Sequence, residues 1–193
     1  MEGIAIPADS PPPDPRARDV GPIGHLAAAA VAVAGALVAA PLAVIEELRP
    51  GLGLLLLPFV AAPTIEEILK PAGVYLLLVR WPRLVRGQLH TALLAALAGL
   101  AFGLLESAAF VTIAVDEPTR TFVAYRFTAP VAMHATASLI AGSGIGPDLI
   151  AWAKNGAPLP RRAVWRFGAA IALHAAYNLT AVALTLSGAL DFD

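Results

Sequence analysis

The chain contains no cysteine among its 193 residues. A disulfide framework, a thiolate metal site and a thiol nucleophile are therefore all excluded. Charge is scarce as well: Asp, Glu, Lys and Arg make up 14% of the residues, and the net charge is −1. An ordinary soluble domain carries about 25% charged residues. Too little polar surface is left to cover a water-exposed body, and no field of one sign exists to draw in a nucleic acid. Nucleic acid is therefore not an expected partner. Aromatic residues are also few, at 7%. What is present is aliphatic: 58% of the chain is hydrophobic and the mean hydropathy is +0.73. A membrane-embedded chain of one domain's length follows, with the lipid bilayer as its solvent.

Residues 1–21 hold Pro7, Pro11, Pro12, Pro13 and Pro15 among charged residues, which predicts a disordered tail. Residues 22–187 form the expected transmembrane helical domain, and 188–193 a short C-terminal tail. The apolar run from Pro22 to Ile45 is long enough to span, so it reads as a retained first helix rather than a cleaved signal. Four further apolar stretches follow, at Gly51–Val79, Gln88–Val115, Phe127–Trp152 and Ala163–Leu186. The fold expected is thus all-α, a polytopic bundle of about five transmembrane helices. The stretch Gly51–Val79 would reach about 43 Å as one helix at 1.5 Å per residue, against a core of about 30 Å. A broken second span is expected, divided at Pro63, with a helix starting near Thr64. Thr64 and Glu67 have capping-box spacing there.

With the N-terminus cytoplasmic, the cytoplasmic segments hold Arg16, Arg18, Arg80, Arg83, Arg86, Lys154, Arg161, Arg162 and Arg166, and the far side holds Arg49, Arg120 and Arg126. Nine against three sets the expected orientation. Trp81, Trp152 and Trp165 fit an interfacial belt on the same side. His25 and His90 lie at span edges and read as interfacial.

Inside the apolar stretches stand Glu66, Glu67, Lys70, Glu106, His134 and His174, with the amide of Asn178. Each ionisable group costs about 2.5–3.5 kcal/mol on insertion, and such residues face a protein interior and mark function. Glu66 and Lys70 are four apart and can pair. Pro71 removes a backbone donor directly after them. Gly99, Phe102, Gly103 and Glu106 share one helical stripe, and the small-xxx-small pair Gly99/Gly103 invites a close helix neighbour. His174 and Asn178 are also four apart. Four helices can thus converge on one polar site.

The ordered motifs Glu66-Glu67-Ile68-Leu69-Lys70 (EExxK), Phe102-Gly103-Leu104-Leu105-Glu106 (FxxxE), His134 preceded by Arg126 and Pro130, and His174-Ala175-Ala176-Tyr177-Asn178 (HxxxN) resemble the PrsW-type intramembrane proteases. These are relatives of the type II CAAX prenyl endopeptidases and the bacteriocin-immunity (ABI) proteins. Ser107 and Phe110 stand where that family often has Asn and Tyr. The resemblance implies peptide-bond hydrolysis within a bacterial-type plasma membrane, on a membrane protein or peptide substrate such as an anti-sigma factor. It implies catalytic roles for Glu66, Glu67, Glu106, His134, His174 and Asn178, supported by Lys70, Phe102 and Arg126.

The residues suit that chemistry. Glu66 or Glu67 can deprotonate a water positioned by His134, while His174 and Asn178 can stabilise the oxyanion. No cofactor is favoured on this reading. The alternative is zinc held by His134, His174 and Glu67, since two His and one carboxylate form a known catalytic set. HExxH is absent because Ala135 follows His134. Rhomboid-like GxSG and presenilin-like GxGD are absent too, at Ala141-Gly142-Ser143-Gly144 and Gly144-Ile145-Gly146-Pro147. No feature of the sequence specifies an oligomeric state. Two rivals remain: a proton-coupled transporter, which predicts flux without cleavage, and a non-catalytic ABI-like scaffold, which predicts tolerance of Glu66→Asp and Glu67→Asp.

Overall fold

Small residues decide how closely the helices of this chain approach one another. In the computed structural model, which describes residues 20–47, 57–114 and 116–190, eight helices are present and no strand occurs among the described residues. They are α1 (Gly21–Glu47), α2 (Ala62–Leu69), α3 (Ala72–Arg80), α4 (Gln88–Ala109), α5 (Arg120–Arg126), α6 (Ala129–Gly142), α7 (Pro147–Asn155) and α8 (Arg161–Leu186). Short π-helical segments lead into α2 at Leu57–Ala61 and out of α4 at Phe110–Ala114. The predicted tail up to residue 19, residues 48–56 (Arg49 among them) and the C-terminal residues 191–193 lie outside the described residues.

The helix α4 is the centre of the bundle, with α6 on one side and α1 on the other. A Cβ on Gly99 would lie 2.5 Å from the His134 carbonyl oxygen, and one on Gly103 would lie 2.8 Å from the His134 ring. Gly142 meets α4 in the same manner, against Ala95 and Ala92. Gly35 and Gly73 bring α1 against α3, where a Cβ on Gly35 would fall 2.2 Å from the Gly73 nitrogen. Without a hydrophobic drive between helices in lipid, such backbone-to-backbone packing is what holds them together.

Among the described residues, three helices are long and apolar enough to cross a membrane: Gly21–Pro41, Gln88–Ile113 and Arg161–Leu186. The second and fourth apolar stretches of the sequence are divided. The second is broken, although not at Pro63. The chain runs from the π segment into α2 without interruption, with Pro63 the second residue of α2. The break falls at Lys70–Pro71. Tyr75 donates its hydroxyl to the Ile68 carbonyl at 3.2 Å, satisfying one acceptor that the interruption at Pro71 leaves over. The capping box does not form either. Thr64 donates to Val60 O at 2.6 Å, and Glu67 turns inward, because the preceding π segment already supplies the turn that a cap would replace. The fourth stretch stops at Gly142, turns through Ser143–Gly146 and resumes as α7, which ends on left-handed Gly156.

The start of α1, the 80–90 connection and the 143–162 segment meet at one end of the bundle. His25 and His90 stack edge to face with centroids 5.3 Å apart. Gln88 donates to the Ser143 carbonyl, and Arg162 donates to Gln88 Oε1 at 2.6 Å.

Candidate active site

Five helices deliver charged side chains to one buried cluster. From α2 come Glu66 and Glu67, with Lys70 just past its end. From α4 come Phe102 and Glu106, from α5 Arg126, from α6 His134 and from α8 His174. Glu66, Glu67, Lys70, Glu106, His134, His174 and Phe102 are all buried. The break after α2 and the glycine stripe of α4 explain how this happens. The first turns the chain away just after Lys70, whose own backbone is still helical and bonded to the Glu66 carbonyl, and the second lets His134 approach Glu106.

Lys70 lies at the hub. Its Nζ donates to Glu67 Oε1 at 2.7 Å and lies 3.1 Å from Glu66 Oε2. It is also 2.7 Å from His134 Nδ1 and sits over the Phe102 ring, 4.6 Å from the centroid. An ammonium has donors alone, so His134 Nδ1 accepts and the imidazole proton is on Nε2. That nitrogen lies 2.7 Å from Glu106 Oε2. Glu106 Oε1 in turn accepts from Arg126 Nη2 at 2.9 Å. Arg126 stacks on Phe110 at 4.1 Å, and its carbonyl accepts from Ser107 Oγ at 2.6 Å. Ser107 and Phe110, the two departures from the family pattern, thus both seat Arg126.

His174 is arranged in the same way. Its Nδ1 lies 2.9 Å from Glu67 Oε1, an acceptor, which puts the proton on Nδ1 and a lone pair on Nε2. That Nε2 is 3.9 Å from Glu66 Oε2, and His134 Nδ1 is also 3.9 Å from the same oxygen. The two rings are nearly perpendicular, with centroids 4.9 Å apart. Glu66, His134 and His174 therefore converge, one ligand atom from each lying within 4.8 Å of the others.

These three residues fit a tetrahedral cation. Ligation at about 2.0–2.1 Å spaces neighbouring donors about 3.3 Å apart, closer than the 3.9 Å from each imidazole nitrogen to Glu66 Oε2, so the three side chains would draw together around the ion. Glu66 Oε2 is buried without an aligned hydrogen bond, and Glu67 Oε2 is buried with no hydrogen-bond partner among the described residues. Each imidazole has its second nitrogen turned to a carboxylate, the arrangement that fixes a metal-ligating tautomer. The sequence reading grouped Glu67 with the imidazoles, whereas the geometry puts Glu66 between them and Glu67 behind His174.

Asn178, one turn beyond His174 on α8, is half-buried. Sequence reasoning did not single out the phenol pair Tyr125–Tyr177, whose oxygens are 2.8 Å apart and which ties α5 to α8. Its one signal was position, since Tyr125 precedes Arg126 and Tyr177 lies within HxxxN. The Lys70–His134 contact was missed as well. It joins positions 64 apart, and no local spacing announces it.

Residues 21–191 match the PrsW family of intramembrane metalloproteases. No curated protein matches the chain, and no solved structure does.

Proposed function

This chain belongs to the PrsW family of intramembrane metalloproteases, and from that premise we propose that it uses zinc held by Glu66, His134 and His174 to hydrolyse a peptide bond in a single-span or membrane-adjacent protein. One observation carries the choice of ligands: both imidazoles present their unprotonated nitrogen to the same Glu66 oxygen, each at 3.9 Å. This reading departs from the metal-free expectation. The departure rests on that geometry and on the family's description as metalloproteases.

Bound there, zinc would acidify a water and polarise the scissile carbonyl. The chain's own residues do the rest. Glu106 holds His134 by its Nε2 side, and Arg126 holds Glu106. Glu67 has Oε1 engaged by Lys70 and His174, and Oε2 is its remaining acceptor. We assign that oxygen as the general base that takes the proton of the attacking water. Asn178 is assigned as the oxyanion donor; a group in that role is worth about 2.7–4 kcal/mol. The buried, apolar surroundings strengthen each of these interactions.

The substrate class follows from the location of the site among helices in an integral membrane protein. An anti-sigma factor with one span is the candidate suggested by the family resemblance. The proposed orientation has the N-terminus in the cytoplasm of a bacterial-type cell. It is supported by the positive-inside count and by the meeting of the α1 start, Arg80–Arg86 and Lys154–Arg166 segments at one end.

The test is cleavage of a panel of single-span substrates by purified protein in liposomes. Wild-type protein should cleave at least one, and Glu67→Gln and His174→Ala should each lose that cleavage while remaining folded. A chelator should abolish wild-type cleavage and added zinc restore it. Cleavage that persists in chelator overturns the zinc assignment. No cleavage of any substrate by folded wild-type protein overturns the proteolytic reading.

A further inference from the structure

The donors that fit a metal are partly taken by a side chain of the protein itself. Lys70 Nζ is 2.7 Å from His134 Nδ1 and 3.1 Å from Glu66 Oε2, two of the three atoms proposed to bind zinc. It also has a hold that zinc does not need, Glu67 Oε1 at 2.7 Å. We infer that Lys70 is the resident counter-cation of this site: its ammonium occupies the lone pairs of His134 and Glu66 when the metal is absent, and withdraws onto Glu67 when the metal binds. The inference rests on the zinc reading above and concerns what guards that site.

The electrostatics favour such an exchange. Glu66, Glu67 and Glu106 bring three negative charges into the cluster, against the two positive charges of Lys70 and Arg126. Arg126 is committed to Glu106 at 2.9 Å, so Lys70 alone faces the Glu66–Glu67 pair among the described residues. Without it the two adjacent carboxylates would be buried uncompensated, a costly state. The ammonium therefore allows the helices to pack before any metal arrives. Lysine suits this task better than arginine, because its head is a compact charge on a flexible four-carbon stem and can shift between acceptors. Glu67 is the fixed end of the exchange, being gripped from the far side by His174 Nδ1 at 2.9 Å.

A cation that must displace another binds with an apparent affinity lowered by the fraction of sites already filled. Removing the competitor should therefore tighten zinc binding, and the loss of a neighbouring positive charge acts in the same direction. A lysine with a merely structural role would give the opposite result, because its loss would loosen the helices that carry the ligands.

Zinc binding to the full-length apo protein in detergent, measured by equilibrium dialysis, tests this directly. Lys70→Met should bind zinc at least about tenfold more tightly than wild type, the scale set by one charge-assisted hydrogen bond. Apo Lys70→Met should also unfold at a lower temperature than apo wild type, and saturating zinc should close that gap. Should Lys70→Met fail to fold, the pair Glu67→Gln and Glu67→Gln/Lys70→Met carries the test. The double variant loses one charge of each sign, and it should bind zinc about tenfold more tightly than Glu67→Gln alone. Equal or weaker binding after loss of Lys70, in either background, overturns the inference while leaving the zinc site standing. If folded wild type binds no zinc, or binds it as well with His174→Ala, the zinc reading falls and this inference falls with it.

Discussion

At the scale of single residues, the site is a set of groups that fix one another's protonation. Lys70 makes His134 accept at Nδ1, which sends the imidazole proton toward Glu106, and Arg126 holds Glu106 in place. Glu67 does for His174 what Glu106 does for His134. A residue that acts through another should show its effect on both metal and rate. Glu106→Gln keeps the shape of the side chain but removes the charge that orients His134. It should lower zinc affinity and cleavage together, each by about 10–100-fold, as read by dialysis and by the liposome assay. A variant that lost rate with unchanged zinc affinity would instead make Glu106 a proton carrier. Ser107→Ala acts one step further out, through the Arg126 carbonyl, and should produce a smaller loss in the same direction.

At the scale of helices, backbone proximity holds α4 and α6 together and so puts Glu106 beside His134. Gly99→Ala places a methyl carbon 2.4 Å from Ser138 Oγ and 2.5 Å from the His134 carbonyl. Relief requires α6 to move, and overpacking of this kind costs about 1–3 kcal/mol. The same substitution at Gly168, in the first third of α8, meets nothing within 4 Å. There the gain in helix propensity makes the change neutral or stabilising by up to about 1 kcal/mol. Thermal unfolding in detergent should separate the two, with Gly99→Ala clearly lower and Gly168→Ala at or above wild type. Cleavage should fall only for Gly99→Ala. Equal behaviour of the two would mean that the glycine stripe does not set the α4–α6 distance.

At the scale of the whole molecule, the three long apolar helices are joined by shorter broken elements that carry part of the site. At 14 residues, α6 covers about 21 Å, less than the roughly 30 Å hydrocarbon core. Yet His134 lies within it. The shortfall is tolerable because α6 is packed between α4 and α8, and the turn at its C-terminal end, through Gly144, Ile145 and Gly146, is buried in protein. The absence of cysteine makes the orientation directly measurable. Arg83→Cys and Asn155→Cys are both at exposed positions at the end where α1 starts, and Glu117→Cys is exposed in the connection after α4. With an impermeant thiol reagent, the first two should label from the cytoplasmic face and the third from the opposite face. Labelling of all three from one side would overturn the proposed topology.

Much of this protein can be read from its residues in order. Composition alone required a bilayer, because a chain this apolar has no other stable solvent. The charged residues that broke the apolar runs had to gather, because an isolated one in lipid is too costly. The i,i+4 spacing of Glu66 and Lys70 foretold their contact, and Gly99/Gly103 foretold a close neighbour for α4. The position of the break in the second span was not legible, because both Pro63 and Pro71 could supply it. Their places relative to the preceding π segment decided the matter. Nor was it legible which of Glu66 and Glu67 lies between the imidazoles. Adjacent residues on a helix point about 100° apart, so both carboxylates suit the chemistry equally. The choice was made by where α6 and α8 pass, through contacts that span 64 and 107 positions. Residue types determined that a polar site exists and what it is made of. Helix packing decided which atom faces which, because those distances depend on crossings that no local periodicity records.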